Sequence, residues 1–505
     1  MPVKNVRPVC AESNPICSDP GTSARDRSPT PVSTGLSFSA SPSWTWSQIT
    51  QTLYPSSTQT KVRQLATNLA FLDQLHNEPH DAPLAGGVNY AQRIHDADDR
   101  QAYSEHMEQH AQSVAAMAAL RLTVKTLTPD ELHLPMDQFH ALTVYLNQKI
   151  NDLAPYYTQM GNINLLAGEG HRAWKRTCNV TSLSMALEGL GVGPTDFKGD
   201  VVLLQKIAAA LEPWRFAQEL AEDQHLAKLK ADADKRNAKS KGKKGKPQPQ
   251  KSTLPSVSPE DDWGSCYASL DNLRMPDFVQ HVAVYVVFQR PHGSGKKKRP
   301  SRKEPEADFI TDVLAARQGA SAAVLSPETL AQIAGQFEGV TATFKYSDAQ
   351  YSTYGVVNRD LNEIKHKEAA YVKTQLQAFQ KQTRQKLAAG SDEEKEELDK
   401  IHASDEYQQL AKQQKENEAK LAPFQAELEK NINNYRRFVE KEILPKTEAG
   451  AQIVVNRPGH FMKLHSIDAN GLIVDDPWVP GKRHQVKWRQ AYEEGYFRDY
   501  IVLTR

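Results

Sequence analysis

Four cysteines in 505 residues are too few to staple a chain of this size with disulfides. Two of them, Cys10 and Cys17, fall in a segment without apolar period. There is no Cys-x-x-Cys pair and no Cys/His cluster, so neither a structural zinc nor any other metal or cofactor is expected. No run of about 18 apolar residues occurs, which excludes a membrane-spanning helix by hydropathy. Charge of one sign is also lacking: 62 Lys and Arg stand against 61 Asp and Glu, and so small a net charge selects no nucleic-acid or membrane partner. The first residues, MPVKNVRPVCAESNPICSDPGTSARDRSPTP, have no apolar core of a secretory signal. The expectation is a protein made in the cytoplasm and, if exported, carried by a specialised secretion system.

What is present divides the chain by texture. Residues 1–42, rich in Pro, Ser and Thr, read as a disordered N-terminus. Residues 43–154 read as a helical domain: Val62, Leu65, Leu69, Leu72 and Leu75 recur at helical spacing, and a second helical pattern runs from about Tyr90 to Lys125. Thr128-Pro129-Asp130-Glu131 then predicts the start of a helix reaching about Leu153. For this domain the plain reading is a scaffold or docking bundle without chemistry.

Residues 155–357 open on a short buried helix, in which Leu183, Ala186, Leu187 and Leu190 form the stripe and Gly191–Pro194 the stop. Helical stretches at Val201–Leu211 and Trp214–Lys230 follow. Two basic linkers, at 228–252 and 292–304, lack the interleaved aromatics of a nucleic-acid surface and read as solvated tracts. Between them VQHVAVYVVF fits a buried strand or a helix end equally well. Residues 358–445, dense in Gln, Lys, Glu and Ala, predict a long antiparallel helical hairpin turning near Gly390. Residues 446–505 change to β texture: Ala451–Val455, then HFMKLHSI and LIVDDPW joined across an Asn470-Gly471 turn, then Val486–Trp488 and Phe497–Leu503. The fold class is α+β, with the sheet packed on the short buried helix and the hairpin inserted between them.

Chemistry concentrates in that α+β part. Cys178 begins the buried helix, where backbone N–H groups and the upstream Arg172, Lys175 and Arg176 favour a thiolate. His460 begins one strand of the terminal hairpin and Asp476 closes the other, so antiparallel pairing brings a base and an orienting acid together. His465, five positions on, faces the opposite side of a regular strand, and Asp475 likewise points away from Asp476 unless a bulge exchanges them. His171 precedes Cys178 in an irregular Gly-rich stretch and is a candidate contact to substrate. Taken singly, Cys178 reads as a small buried hydrophobe, His460 as a strand histidine and Asp475-Asp476-Pro477 as a strand terminator.

The segments TCNVTSLSMALEGLG and PGHFMKLHSIDANGLIVDDPW together resemble the two signatures of C39-like cysteine peptidases of the papain fold. The resemblance covers roughly residues 156–193 and 451–505, less than a quarter of the chain. It implies Cys178 as nucleophile, His460 as base and Asp476, immediately before Pro477, as orienter. It also implies an upstream glutamine in the oxyanion hole; Gln159 is the candidate, farther upstream than the family pattern places it, with Asn162 or Asn164 as substitutes. The activity implied is hydrolysis of amide bonds, in a bacterial effector or toxin acting on protein. Peptidoglycan amide cleavage, of interbacterial or phage-like origin, and deamidation or acyl transfer by the same triad are the enzymatic alternatives. A partner-binding protein with a relic peptidase fold is the non-enzymatic one. Under the enzymatic reading, the helical regions are expected to meet a secretion-system or immunity partner.

Overall fold

A computed structural model describes residues 56–76, 97–159, 162, 165, 177–209, 211, 228, 231–232, 270, 273–289, 325–347, 349–383, 390–478 and 483–505. The N-terminal tract 1–42, most of the first basic linker and of the Trp214–Lys230 stretch, all of the second basic linker, and Asn164, His171, Arg172, Lys175 and Arg176 lie outside the described residues.

Helices α1 (Ser56–His76), α2 (Ala97–Thr126) and α3 (Met136–Asp152) pack around Leu65, Leu69, Leu72, Met117, Leu120, Leu146 and Ile150. The helix start at Thr128 is there, as a capping box in which the Glu131 N–H donates to Thr128 Oγ1 and Glu131 Oε2 accepts from the Thr128 N–H. It does not run on to Leu153, however. One turn, Pro129–Leu132, ends at His133 in the left-handed region (φ 52°), and α3 begins afresh after Pro135. Pro135 cannot donate to a helical ladder and disfavours helical backbone at Leu134, which breaks the segment in two.

Helix α4 (Cys178–Gly189) is buried along its whole length, polar residues included. It lies against β2 (Gln452–Arg457) and β3 (His460–Asp468) on one side and against α5 (Met275–Gln289) on the other. The ambiguous VQHVAVYVVF stretch is the body of α5. Its β-branched residues suit a strand, but Pro276 sits in the first helical turn, and Phe278, Val279, Gln280, His281, Val284 and Tyr285 are buried all round the helix. Burial on all sides removes the amphipathic period by which sequence alone identifies a helix. Helix α6 (Pro327–Ala334), capped by Ser326, completes this side.

The sheet has six strands in the order β1-β6-β2-β3-β4-β5, every neighbouring pair antiparallel. Besides β2 and β3 it contains β1 (Thr341–Tyr346), β4 (Gly471–Asp475), β5 (Arg483–Lys487) and β6 (Asp499–Thr504). Val454, Phe461, Ile501 and Leu503 face α4 and α5. Their alternates Ile453, Val455, Met462, Leu464 and Tyr500 face a second core. That second core is roofed by the base of the inserted arm, so the architecture is helices on both faces of an antiparallel sheet.

The arm begins at Ala349, earlier than its composition suggests. Its outgoing helix α7 (Ala349–Thr383) returns through α8 (Asp392–His402), α9 (Asp405–Ala426) and α10 (Leu428–Phe438), which continues through a π turn at Val439–Ile443. The return leg is broken at Ser404, whose hydroxyl caps α9 and meets Tyr371 Oη at 3.1 Å across the hairpin. Lys365 and Glu418, 3.7 Å apart, mark the antiparallel pairing lower down. At the root Tyr354 stacks on Tyr492 with ring centroids 4.9 Å apart, in the same core as the fully buried Tyr435. The lower arm is therefore part of the core. No helix among the described residues is long and apolar enough to cross a membrane.

Candidate active site

The site lies at the end of the sheet where β3 begins and β4 stops. A Pro458-Gly459 turn, with Gly459 at φ 85°, pairs Arg457 with His460 and delivers His460 as the first residue of β3. On the far side of β3 the Asn470-Gly471 turn sends β4 back antiparallel until Asp475. Asp476 and Pro477 then leave the sheet beside the His460 ring. Cys178, 9% exposed, stands at the first position of α4, with Thr177 before it offering no side-chain cap.

His460 joins the two others. Its Nε2 lies 2.6 Å from Asp476 Oδ1, and the ring hydrogen-bonds the Cys178 sulfur. With Nε2 occupied by the carboxylate, Nδ1 is the nitrogen available to sulfur. Asp476 Oδ1 also accepts the Trp478 N–H at 2.8 Å, which fixes the carboxylate. The sulfur receives the backbone N–H groups of Phe461 and of Asn179, the second belonging to the unsatisfied first turn of α4.

The electrostatics follow from these contacts. Burial by itself would raise the Cys178 thiol, but the hydrogen bond and charge of His460 and the two N–H groups outweigh it and bring the thiol below its usual range. For His460, burial opposes the charged ring, yet Asp476 on one side and Cys178 on the other raise it to about 9. Burial likewise opposes ionised Asp476, and the His460 and Trp478 hydrogen bonds overcome it, lowering the acid. The combination favours a thiolate–imidazolium pair with an ionised carboxylate behind it.

Gln159 is 2% exposed and sits against the acid: its backbone N–H donates to the Pro477 carbonyl at 2.8 Å, and its Oε1 is buried without a hydrogen-bond partner. Asn162 donates its amide to Thr181 Oγ1 at 2.7 Å, so that donor is engaged within the core and not held free for a ligand.

The rivals for base and acid belong to a second network. His465 Nε2 is 2.9 Å from Asp152 Oδ1, and its Nδ1 is 3.5 Å from Asp475 Oδ2. Asp475 further holds the fully buried Lys463 at 3.2 Å and Arg483 at 3.3 Å. Burial opposes its charge, and these cations overcome that and keep the carboxyl well below the usual range. β3 carries an irregularity between Leu464 and Ser466, the bulge that places His465 here. Arg483 also donates to the Asp152 carbonyl at 2.7 Å, and Gln452 to Asn151 Oδ1 at 2.6 Å. The end of α3 is thereby tied to the sheet, so the front helical domain does not stand apart as a separate bundle.

Sequence reasoning overlooked Tyr156 and Thr158. Both donate to the backbone beside the acid, Tyr156 Oη to the Asp476 carbonyl at 2.6 Å and Thr158 Oγ1 to the Pro477 carbonyl at 3.2 Å. Nothing in their local pattern signals contact with residues more than 300 positions later. Lys463 had a faint signal, a charged residue set among the apolar Phe461, Met462 and Leu464. Among the described residues no group of three or more His, Cys, Asp and Glu side chains converges to hold a metal ion. No family model, no curated protein and no solved structure matches this chain.

Proposed function

We propose that the chain is a cysteine hydrolase of amide bonds, similar to C39-like peptidases of the papain fold, with Cys178 as nucleophile, His460 as base and Asp476 as orienter. The observation that carries this reading is His460 bridging the Cys178 sulfur and the Asp476 carboxylate at the N-terminus of a buried helix.

In the proposed cycle the Cys178 thiolate attacks the carbonyl carbon; a C–S bond forms and the carbonyl π pair moves to oxygen. The Cys178 backbone N–H and the Gln159 amide are the proposed donors to that oxyanion. The His460 imidazolium gives its proton to the leaving nitrogen, the C–N bond breaks, and a thioester remains. Neutral His460 then takes a proton from water, whose oxygen attacks the thioester. The C–S bond breaks, the acid departs and Cys178 is restored as thiolate beside imidazolium. Asp476 holds the ring and stabilises its positive charge throughout.

The substrate class we favour is protein, in an effector or toxin setting, with peptidoglycan amides as the alternative. The test incubates the parent and Cys178→Ala proteins with casein, with purified peptidoglycan and with a thiol-reactive acyl probe. Cys178-dependent peptides support proteolysis, and Cys178-dependent muropeptides redirect the reading to the cell wall. Absence of both products and of probe labelling at Cys178 overturns the enzymatic reading.

A further inference from the structure

The segment leaving the front helical domain makes three hydrogen bonds onto two consecutive carbonyls, those of Asp476 and Pro477. Tyr156 Oη donates to the first at 2.6 Å; Thr158 Oγ1 at 3.2 Å and the Gln159 N–H at 2.8 Å share the second. The ring of Pro477 fixes its own φ, so pinning the carbonyls on either side of it leaves the Asp476 backbone little rotation. Asp476 has left the β-ladder by this point, because β4 pairing stops at Asp475. The strand register that orders its neighbours therefore stops one residue short of the acid. The Tyr156–Gln159 segment takes that role.

The segment is itself held at its other side. Tyr157, whose side chain is directed elsewhere in this alternating stretch, places its hydroxyl 2.9 Å from His110 Nε2, and the same nitrogen lies 2.6 Å from Glu188 of α4. All three side chains are buried. The segment thus runs from α3, is anchored between α2 and α4 by Tyr157, and meets the acid through Tyr156 and Thr158.

We infer that Tyr156 is a positioning residue for the Cys178–His460–Asp476 site, setting the orientation of Asp476 through the hydrogen bond to its carbonyl. The segment that follows the front helical domain then completes the site, anchored to that domain through Tyr157 and His110. This inference rests on the proposed triad and extends it by one residue upstream of the segment that carries Cys178. A hydroxyl at position 156 matters because its carbonyl partner belongs to the acid; a phenyl ring fills the same space without holding the peptide.

The test uses full-length protein and needs no substrate. Cys178 is alkylated with iodoacetamide across pH 4–10, and the rate against pH gives the midpoint of thiolate formation. Parent, Tyr156→Phe, Thr158→Val and Asp476→Ala are compared, with thermal unfolding of each to verify folding. The midpoint should rise by about 0.5–1 pH unit in Tyr156→Phe, as expected for one lost hydrogen bond acting on the pair. Thr158→Val should shift it less, since the Gln159 N–H still holds Pro477, and Asp476→Ala should shift it most. A Tyr156→Phe protein that loses stability but keeps the parental midpoint overturns the positioning role, leaving the triad intact. A parental midpoint at the ordinary thiol value, unmoved by Asp476→Ala, instead overturns the triad. If Tyr156→Phe does not fold, the Thr158→Val midpoint decides: no shift contradicts the inference.

Discussion

His460 Nε2 and Asp476 Oδ1 meet at 2.6 Å although no ladder pairing joins their residues; the β3–β4 register ends at Lys463 and Asp475. The contact is made beyond the sheet, by the residue that starts one strand and the residue that follows the end of the other. Removing the acid therefore leaves the strands paired and acts on the ring. Asp476→Ala is predicted to keep the fold while lowering Cys178-dependent turnover on the order of 10²-fold or more. Asp476→Asn, which keeps an acceptor for Nε2 but not its charge, should lose less. Turnover of the acyl probe and thermal unfolding together separate these effects.

The adjacent carboxylate gives the opposite outcome. Asp475 lies among Lys463, His465 and Arg483, and Lys463 has no exposure at all. Removing one partner of a buried ion pair costs about 3–5 kcal/mol, so Lys463→Ala should lower unfolding stability by that order, measured in urea. Because the folded pKa of Asp475 lies below its unfolded value, its contribution is present above about pH 4 and is lost as pH falls toward the lowered folded value. Neighbouring positions in the chain should thus separate, Asp475 acting on stability and Asp476 on chemistry.

Activity should follow a bell in pH. His460 must carry a proton to release the leaving nitrogen, and its raised value of about 9 sets the basic limb there. The acidic limb reports protonation of the Cys178 thiolate and falls below the range of a free thiol. In Asp476→Asn the basic limb should move downward, since the charge that raises His460 is gone. A pH–rate profile of probe hydrolysis checks both limbs.

The arm's root depends on two glycines in contact. A Cβ on Gly355 of α7 would stand 2.4 Å from the Gly495 Cα, and Gly495 (φ 71°) itself packs near Pro458, in the turn that delivers His460. Gly355→Ala must push α7 off the Glu494–Gly495 backbone and is predicted to cost about 1–3 kcal/mol. Thermal unfolding measures the loss.

The legible parts of the molecule were those governed by local rules. The Asn470-Gly471 turn, the short apolar runs of β2–β4 and the apolar stripe of α4 are short-range patterns, and they place Cys178 and His460 on the elements where they stand and Asp476 just past the end of β4. The illegible parts depend on distant partners. β1, TATFKY, is a strand because β6 pairs with it along its length, and α5 hides its period by being buried all round. His465 finds Asp152, and Tyr156 finds Asp476, only once the chain has folded. The break at Pro135 was legible in principle, since a proline follows the Thr128 start within two turns; the strength of that capping signal masked it.

The reactivity of Cys178 toward iodoacetamide as a function of pH tests the thiolate–imidazolium pair most directly. The prediction is appreciable alkylation well below pH 8 in the parent protein, with the midpoint returning toward the ordinary thiol value of about 8.5 in His460→Ala. A parental profile with a single midpoint near that ordinary value, unchanged by His460→Ala, would contradict it.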